Sequence, residues 1–157
     1  MQVRAATDED ISAIATLRRA LWPSPEIDHP AEIGRLIRHP GGDMTMFVAS
    51  AASGAIVGFA EASIRHDYVN GCGTSPVAFL EGIFVEPASR RTGAARALTA
   101  AVEAWGAARV CRELASDADL ENTTSHAMHA ALGFEETERV VCFRKDLAGP
   151  ATPMTSR

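Results

Sequence analysis

The chain has 157 residues, 46% of them hydrophobic, and a formal net charge of −5. That length fits one domain with a sizeable core, no apolar run is long enough to span a bilayer, and no signal-peptide pattern opens the chain. The acidic balance argues against nucleic acid and suits a cationic ligand, while three scattered cysteines, Cys72, Cys111 and Cys142, predict reduced thiols in a cytoplasmic protein.

In chain order, "MQVRAA" reads as a short first strand. "TDEDISAIATLRRALW" follows as a helix capped by Thr7, with Ile11, Ile14, Leu17 and Leu21 on one face. "HPAEIGRLIRH" is a second helix with Pro30 in its tolerant first turn. "MTMFVASA" and "AIVGFAEASIRH" flank Ser53-Gly54 and predict a hairpin. The loop "NGCGTSP" leads into "VAFLEGIFV", residues 77–85, apolar throughout except for Glu81. "TGAARALTAAVEAWG" has helical spacing at Ala94, Ala97, Leu98, Ala101, Val102 and Trp105. A strand at 111–116, a short helix in "NTTSHAMHAALG" and a last strand in "ERVVCFRKDL" complete residues 1–147, and the aperiodic tail 148–157 is predicted to be disordered. This mixture predicts an α/β or α+β fold, with strands 77–85 and 111–116 parallel across a right-handed helical crossover.

Two features carry chemistry. A carboxylate inside a core strand costs several kcal/mol, on the order of 2–7 for polar burial, unless it is paired or faces a wet cleft, and Glu81 stands in such a strand. Directly after that strand, "EPASRRTGAARAL" places small residues at a helix start, where free N–H groups and the helix dipole favour a phosphate. Arg90, Arg91 and Arg96 add positive charge. Taken alone, the stretch reads better as a plain helix start with surface arginines. Neither a phosphate-loop Gly-Lys-Ser/Thr nor a Gly-x-Gly-x-x-Gly is present, and His126-x-x-His129 with the cysteines lacks the spacing of a metal site, so no metal is expected.

The spacing Arg90-x-x-Gly93-x-Ala95 after an apolar strand and Pro87 resembles the acetyl-CoA motif of the GNAT superfamily of N-acetyltransferases. "ENTTSHAMHAALGFEE" resembles its second signature, and residues 1–147 follow the superfamily's element order. "LWP", "SIRHDYVNG", "FLEGIFV", "CRELASD" and "ALGFEETERV" together resemble the aminoglycoside 6′-N-acetyltransferases of bacterial resistance.

The resemblance implies a GNAT fold, a mixed sheet splayed between strands 77–85 and 111–116 and flanked by about four helices. It implies that the backbone of Ile83, Phe84 and Val85 binds the pantetheine of acetyl-CoA and offers an N–H to the thioester oxygen. Arg91, Thr92, Gly93, Ala94, Ala95 and Arg96 would hold the pyrophosphate, and Asn122 would reach the pantetheine arm. Glu81 and Asp117 would hold the reacting amine of a cationic aminoglycoside and receive its proton directly or through water. Trp22, Tyr68 and Glu138 match drug contacts, with Asp67 and Glu136 as looser candidates. Relatives of this kind are often dimers, and "RVVCF" could supply the interface.

Three departures stand out. His129 occupies a position where many GNAT enzymes carry a Tyr that protonates the departing thiolate, so that step has no assigned residue. Ala95 replaces a common Gly, and "SPEIDHP" leaves Asp28 or His29 to fill a place where relatives have a histidine. No Cys or Ser stands beside a base within the motifs, which implies direct transfer between two bound substrates. Acetylation of a polyamine or protein amine, and a non-catalytic acyl-CoA-binding module, are the competing readings.

Overall fold

The computed structural model describes residues 1–39 and 42–149, so most of the predicted disordered tail lies outside the described residues. Five strands form one sheet in sequence order: β1 (Gln2–Ala5), β2 (Met44–Ser50), β3 (Ile56–Arg65), β4 (Val77–Val85) and β5 (Leu114–Ser116). The first four pair antiparallel, the β2–β3 hairpin turning where Gly54 takes a φ of 87°. Only β4 and β5 run parallel, joined through the crossover helix α3 (Ala94–Ala107).

The remaining helices are α1 (Ile11–Leu21), α2 (His29–Ile37) and α4 (Thr123–Ala131). Their starts follow from their caps. The helix predicted from Thr7 opens as a 3-10 turn over Asp8–Asp10, where the Thr7 N–H donates to Asp10 Oδ2 at 2.8 Å. Hydrogen bonding from Arg4 on β1 then holds the Asp10 carboxyl below the usual carboxylate range. Asp28 accepts from the Ala31 N–H at 3.1 Å to start α2, and Asn122 Oδ1 accepts from the Ser125 N–H at 3.1 Å to start α4.

The two faces of the sheet are covered separately. On one, Ala94, Leu98 and Val102 of α3 pack against Ala60, Ala62, Leu80 and Ile83. On the other, Ile14, Ala15 and Leu17 of α1 and Ile33 of α2 pack against Met46, Val48 and Phe59. Leu80 and Ile83 share the α3 face although they are three apart, because β4 is bulged between them. Glu61 pairs with Gly82 and Ala62 with Leu80, leaving Glu81 as the extra residue.

Two expectations are corrected. The segment "ERVVCFRKDL", predicted as a strand, has no strand pairing among the described residues. Val140, Val141 and Phe143 are 58%, 78% and 93% exposed, so the segment has a strand's composition without a neighbouring strand in its own molecule. The strand predicted over 111–116 shortens to Leu114–Ser116. The Glu113 side chain is drawn instead to the Gly73 and Thr74 N–H groups, at 3.0 and 2.8 Å.

Candidate active site

The bulge explains the acid in the core strand. Gly82 faces α1, since a Cβ built there would stand 2.5 Å from the Trp22 ring. Glu81 turns to the same face, where Ser63 Oγ donates to its Oε1 at 2.6 Å and Arg65 Nη2 to Oε1 and Oε2 at 3.0 and 3.2 Å. Arg65 also lies over the Phe79 ring, 3.5 Å from its centroid. Glu81 is therefore a half-buried carboxylate at the rim beyond the end of α1, already paired with a cation.

Strands β4 and β5 part at the same level. Their parallel register ends at Leu80 opposite Ser116, while β4 continues to Val85. Ile83 and Val85 point into the α3 core and Phe84 toward α1, which leaves the backbone of this stretch as its face toward the gap. The Val85 carbonyl already accepts from Arg90 Nε at 2.9 Å. Asp117 follows β5 directly, exposed, and among the described residues it enters no ion pair. The register thus brings Glu81 and Asp117 to the mouth of one gap.

At the foot of β4, Gly93 takes a φ of 88° and Arg91 a φ of 63° before α3 begins. Nothing lies within 4 Å of a Cβ built on Gly93, so the approach to the first N–H groups of α3 is open. Thr92 and Gly93 are exposed, Ala95 is half-buried and Ala94 is packed into the core. Thr92 Oγ1 donates to the Ser89 carbonyl at 2.6 Å, and Arg96 Nη2 donates to the Ala131 carbonyl at the end of α4 at 2.9 Å. Of the six residues expected at a pyrophosphate, these two have structural partners as well.

Beyond the parting point, the expectation that no serine stands beside a base fails in space. The fold packs α4 on β5, so that His129 Nε2 lies 2.8 Å from Ser116 Oγ. His129 Nδ1 lies 2.7 Å from the Ser125 carbonyl, and Ser116 Oγ lies 3.1 Å from the Leu80 carbonyl. His129 Nδ1 also lies 3.3 Å from Ser125 Oγ. Ser116 Oγ donates to the Leu80 carbonyl and stands within hydrogen-bond reach of His129, so a proton can pass between serine and imidazole beside the gap. Burial raises the Cys72 and Cys111 thiols, which argues against either as a nucleophile.

The other expected substrate residues are scattered. Tyr68 and Asp67 are exposed in the loop after β3, next to the buried anchor Val69. Glu138 lines a groove of about 710 Å³ along β5, together with Ser116, His129 and Phe134. Glu136 in the same groove pairs with Arg139. Asp28 caps α2, and His29 is 1% exposed, so His29 does not meet a ligand there. Asn122 Oδ1 is committed to capping α4, leaving its amide NH2 for a ligand. Among the described residues, no group of three or more His, Cys, Asp or Glu side chains could hold a metal. Sequence reasoning missed Arg18, Glu61, Ser63, Arg65 and Ser116. Two of these carried a readable signal, because Arg18 sits on the apolar face of α1 and Glu61 inside an apolar strand.

The acetyltransferase (GNAT) family profile matches residues 11–134. An aminoglycoside N(6′)-acetyltransferase type 1 of Salmonella enteritidis is 49% identical over 146 residues, covering 92% of this chain and 99% of that protein. One from Serratia marcescens is 51% identical over 141 residues, 88% of this chain and 94% of that protein. The crystal structure of aminoglycoside antibiotic 6′-N-acetyltransferase AAC(6′)-Ih from Acinetobacter baumannii superposes with a TM-score of 0.88 at 46% identity, over 94% of this chain and 99% of that one. AAC(6′)-Iy in complex with the bisubstrate analogue CoA-S-monomethyl-acetylneamine gives 0.85 at 47% identity, over 93% and 98% of the two chains. With a parted parallel strand pair, an open helix start below it and relatives matching along nearly its whole length, this chain belongs to the GNAT family of acetyltransferases.

Proposed function

We propose that the protein transfers the acetyl group of acetyl-CoA to the 6′-amine of aminoglycosides by direct attack, and so confers resistance. The observation that carries this reading is the mouth of the β4–β5 gap, where Glu81 and Asp117 stand at one level. An aminoglycoside amine is largely protonated at neutral pH, and two carboxylates suit an ammonium far better than an alcohol.

The residues divide the work. The thioester supplies the acetyl group. The first turn of α3, from Ala94, with Arg91 beside it, holds the phosphates, and the Asn122 amide donates to the arm of the cofactor. N–H groups of Ile83 to Val85 stabilise negative charge on the acyl oxygen. Glu81 anchors the ammonium, Asp117 takes its proton directly or through water, and Trp22, Tyr68 and Glu138 contact the drug. Ser116, backed by His129, supplies a proton to the leaving sulfur.

Two further readings concern the molecule's setting. The segment "RVVCF", residues 139–143, fits a second copy of the chain, pairing as a strand along β5, whose outer edge opens onto the groove. The protein is then a homodimer. Three free cysteines suit the reducing cytoplasm, and no helix among the described residues is long and apolar enough to cross a membrane.

The deciding experiment follows CoA release with kanamycin, a 6′-hydroxyl aminoglycoside, spermidine and a lysine peptide, with products located by mass spectrometry. Turnover confined to the 6′-amine drug, with acetyl on that nitrogen, is the expected result. Faster acetylation of spermidine or the peptide, or acetylation of the 6′-hydroxyl drug at another amine, overturns the reading.

A further inference from the structure

Arg18 is 0% exposed, and its hydrogen-bond partners come from two other elements, β3 and α2. Its Nε donates to Glu61 Oε2 on β3 at 3.0 Å and its Nη2 to Oε1 at 3.4 Å. Its Nη1 donates to Glu32 Oε2 at 2.7 Å and to His29 Nδ1 at 3.1 Å, both on α2. His29 accepts through Nδ1, so its hydrogen sits on Nε2, and burial and the Arg18 charge hold it below the usual histidine range. Buried ion pairs add little stability over well-packed apolar residues of the same volume. This cluster needs a reason other than stability.

Its geometry supplies one. The Arg18 guanidinium lies over the Trp22 ring, 4.9 Å from the centroid, and that ring covers Gly82. Glu61, which fixes Arg18, is the register partner of Gly82. Glu61, Arg18, Trp22 and Gly82 thus close a circuit across β3, α1 and β4 at the bulge that turns Glu81 outward. A guanidinium can bond carboxylates in its plane while stacking through its face, which a lysine ammonium cannot do.

We propose that Arg18, held by Glu61, Glu32 and His29, is a positioning residue for the acceptor substrate: it fixes the Trp22 ring over Gly82 as a rigid wall beside Glu81. The inference rests on the functional reading above. It predicts that loosening Arg18 changes how the cationic sugar is held and leaves the acetyl-CoA side untouched. The effect must run through Trp22.

The test is a double-mutant cycle in a Trp105→Phe background, which makes Trp22 the sole tryptophan. Arg18→Lys should raise KM for kanamycin about tenfold while kcat and KM for acetyl-CoA stay within about twofold, the pattern of lost acceptor binding. Trp22→Leu should behave alike, and the double variant no worse than Trp22→Leu alone. Acrylamide should quench Trp22 emission more readily in Arg18→Lys. Equal rises in KM for both substrates, or effects that multiply in the double variant, sink the proposal. Should Arg18→Lys not fold, Gly82→Ala displaces the ring from its other neighbour with the cluster intact and must give the same acceptor-only rise; an unchanged acceptor KM refutes it. If the wild type does not turn over kanamycin, the functional reading fails by itself. Quenching still decides the positioning: an increase in Arg18→Lys supports it, and no change overturns it.

Discussion

On the proposed function, Glu81 and Asp117 meet one ammonium from different circumstances. Ser63 and Arg65 already bond Glu81, the latter as a salt bridge at 3.0 Å, so its charge is anchored and directional. Asp117 is exposed at the end of β5 with no such tether among the described residues, so its side chain can turn to the amine. The two isosteric substitutions should therefore differ. Asp117→Asn should lower kcat by about 10²- to 10⁴-fold, the range of a lost acid–base group. Glu81→Gln should act mainly on KM for the drug, by about tenfold. The double variant should lose less than the product, because both groups act on one amine. Steady-state kinetics on kanamycin across pH checks this; equal kcat losses from both singles would reverse the assignment of roles.

Among the elements, α3 offers the cleanest test, because Gly93 combines a left-handed φ of 88° with an open approach. Gly93→Glu brings strain and negative charge to the positive end of the helix, whereas Gly93→Asn tolerates that φ without charge. The Glu variant should weaken acetyl-CoA binding by at least about tenfold more than the Asn variant. Calorimetric titration compares the two, and equal affinities would remove the phosphate assignment. This helix, like β2, β3, β4 and α4, was legible because periodicity and caps were local signals. The β4 bulge was not, since a register shift belongs to a pair of strands and neither sequence alone encodes it. Arg18 escaped for a related reason: its partners Glu32 and Glu61 lie 14 and 43 residues away. Ser116 and His129 likewise meet only after α4 folds back on β5. The segment 138–147 was misread in the opposite sense. Its strand propensity is real, but propensity names no partner.

At the scale of the whole molecule, that segment predicts assembly. Light scattering should give about twice the 16.6 kDa of the chain, and Val141→Lys with Phe143→Lys should shift the protein toward monomer by charging residues that are 78% and 93% exposed. A wild-type monomer at micromolar concentration would rule the dimer out. The gap between β4 and β5 has a different consequence. Backbone pairing between β4 and its edge neighbour β5 is withheld beyond Leu80 and Ser116, and that leaves the gap. Variants that zip these strands further would gain ladder hydrogen bonds and melt at higher temperature. They would also be dead. Selection for heat resistance alone should therefore drift toward inactive proteins, and a thermostable active form must draw its stability from elsewhere.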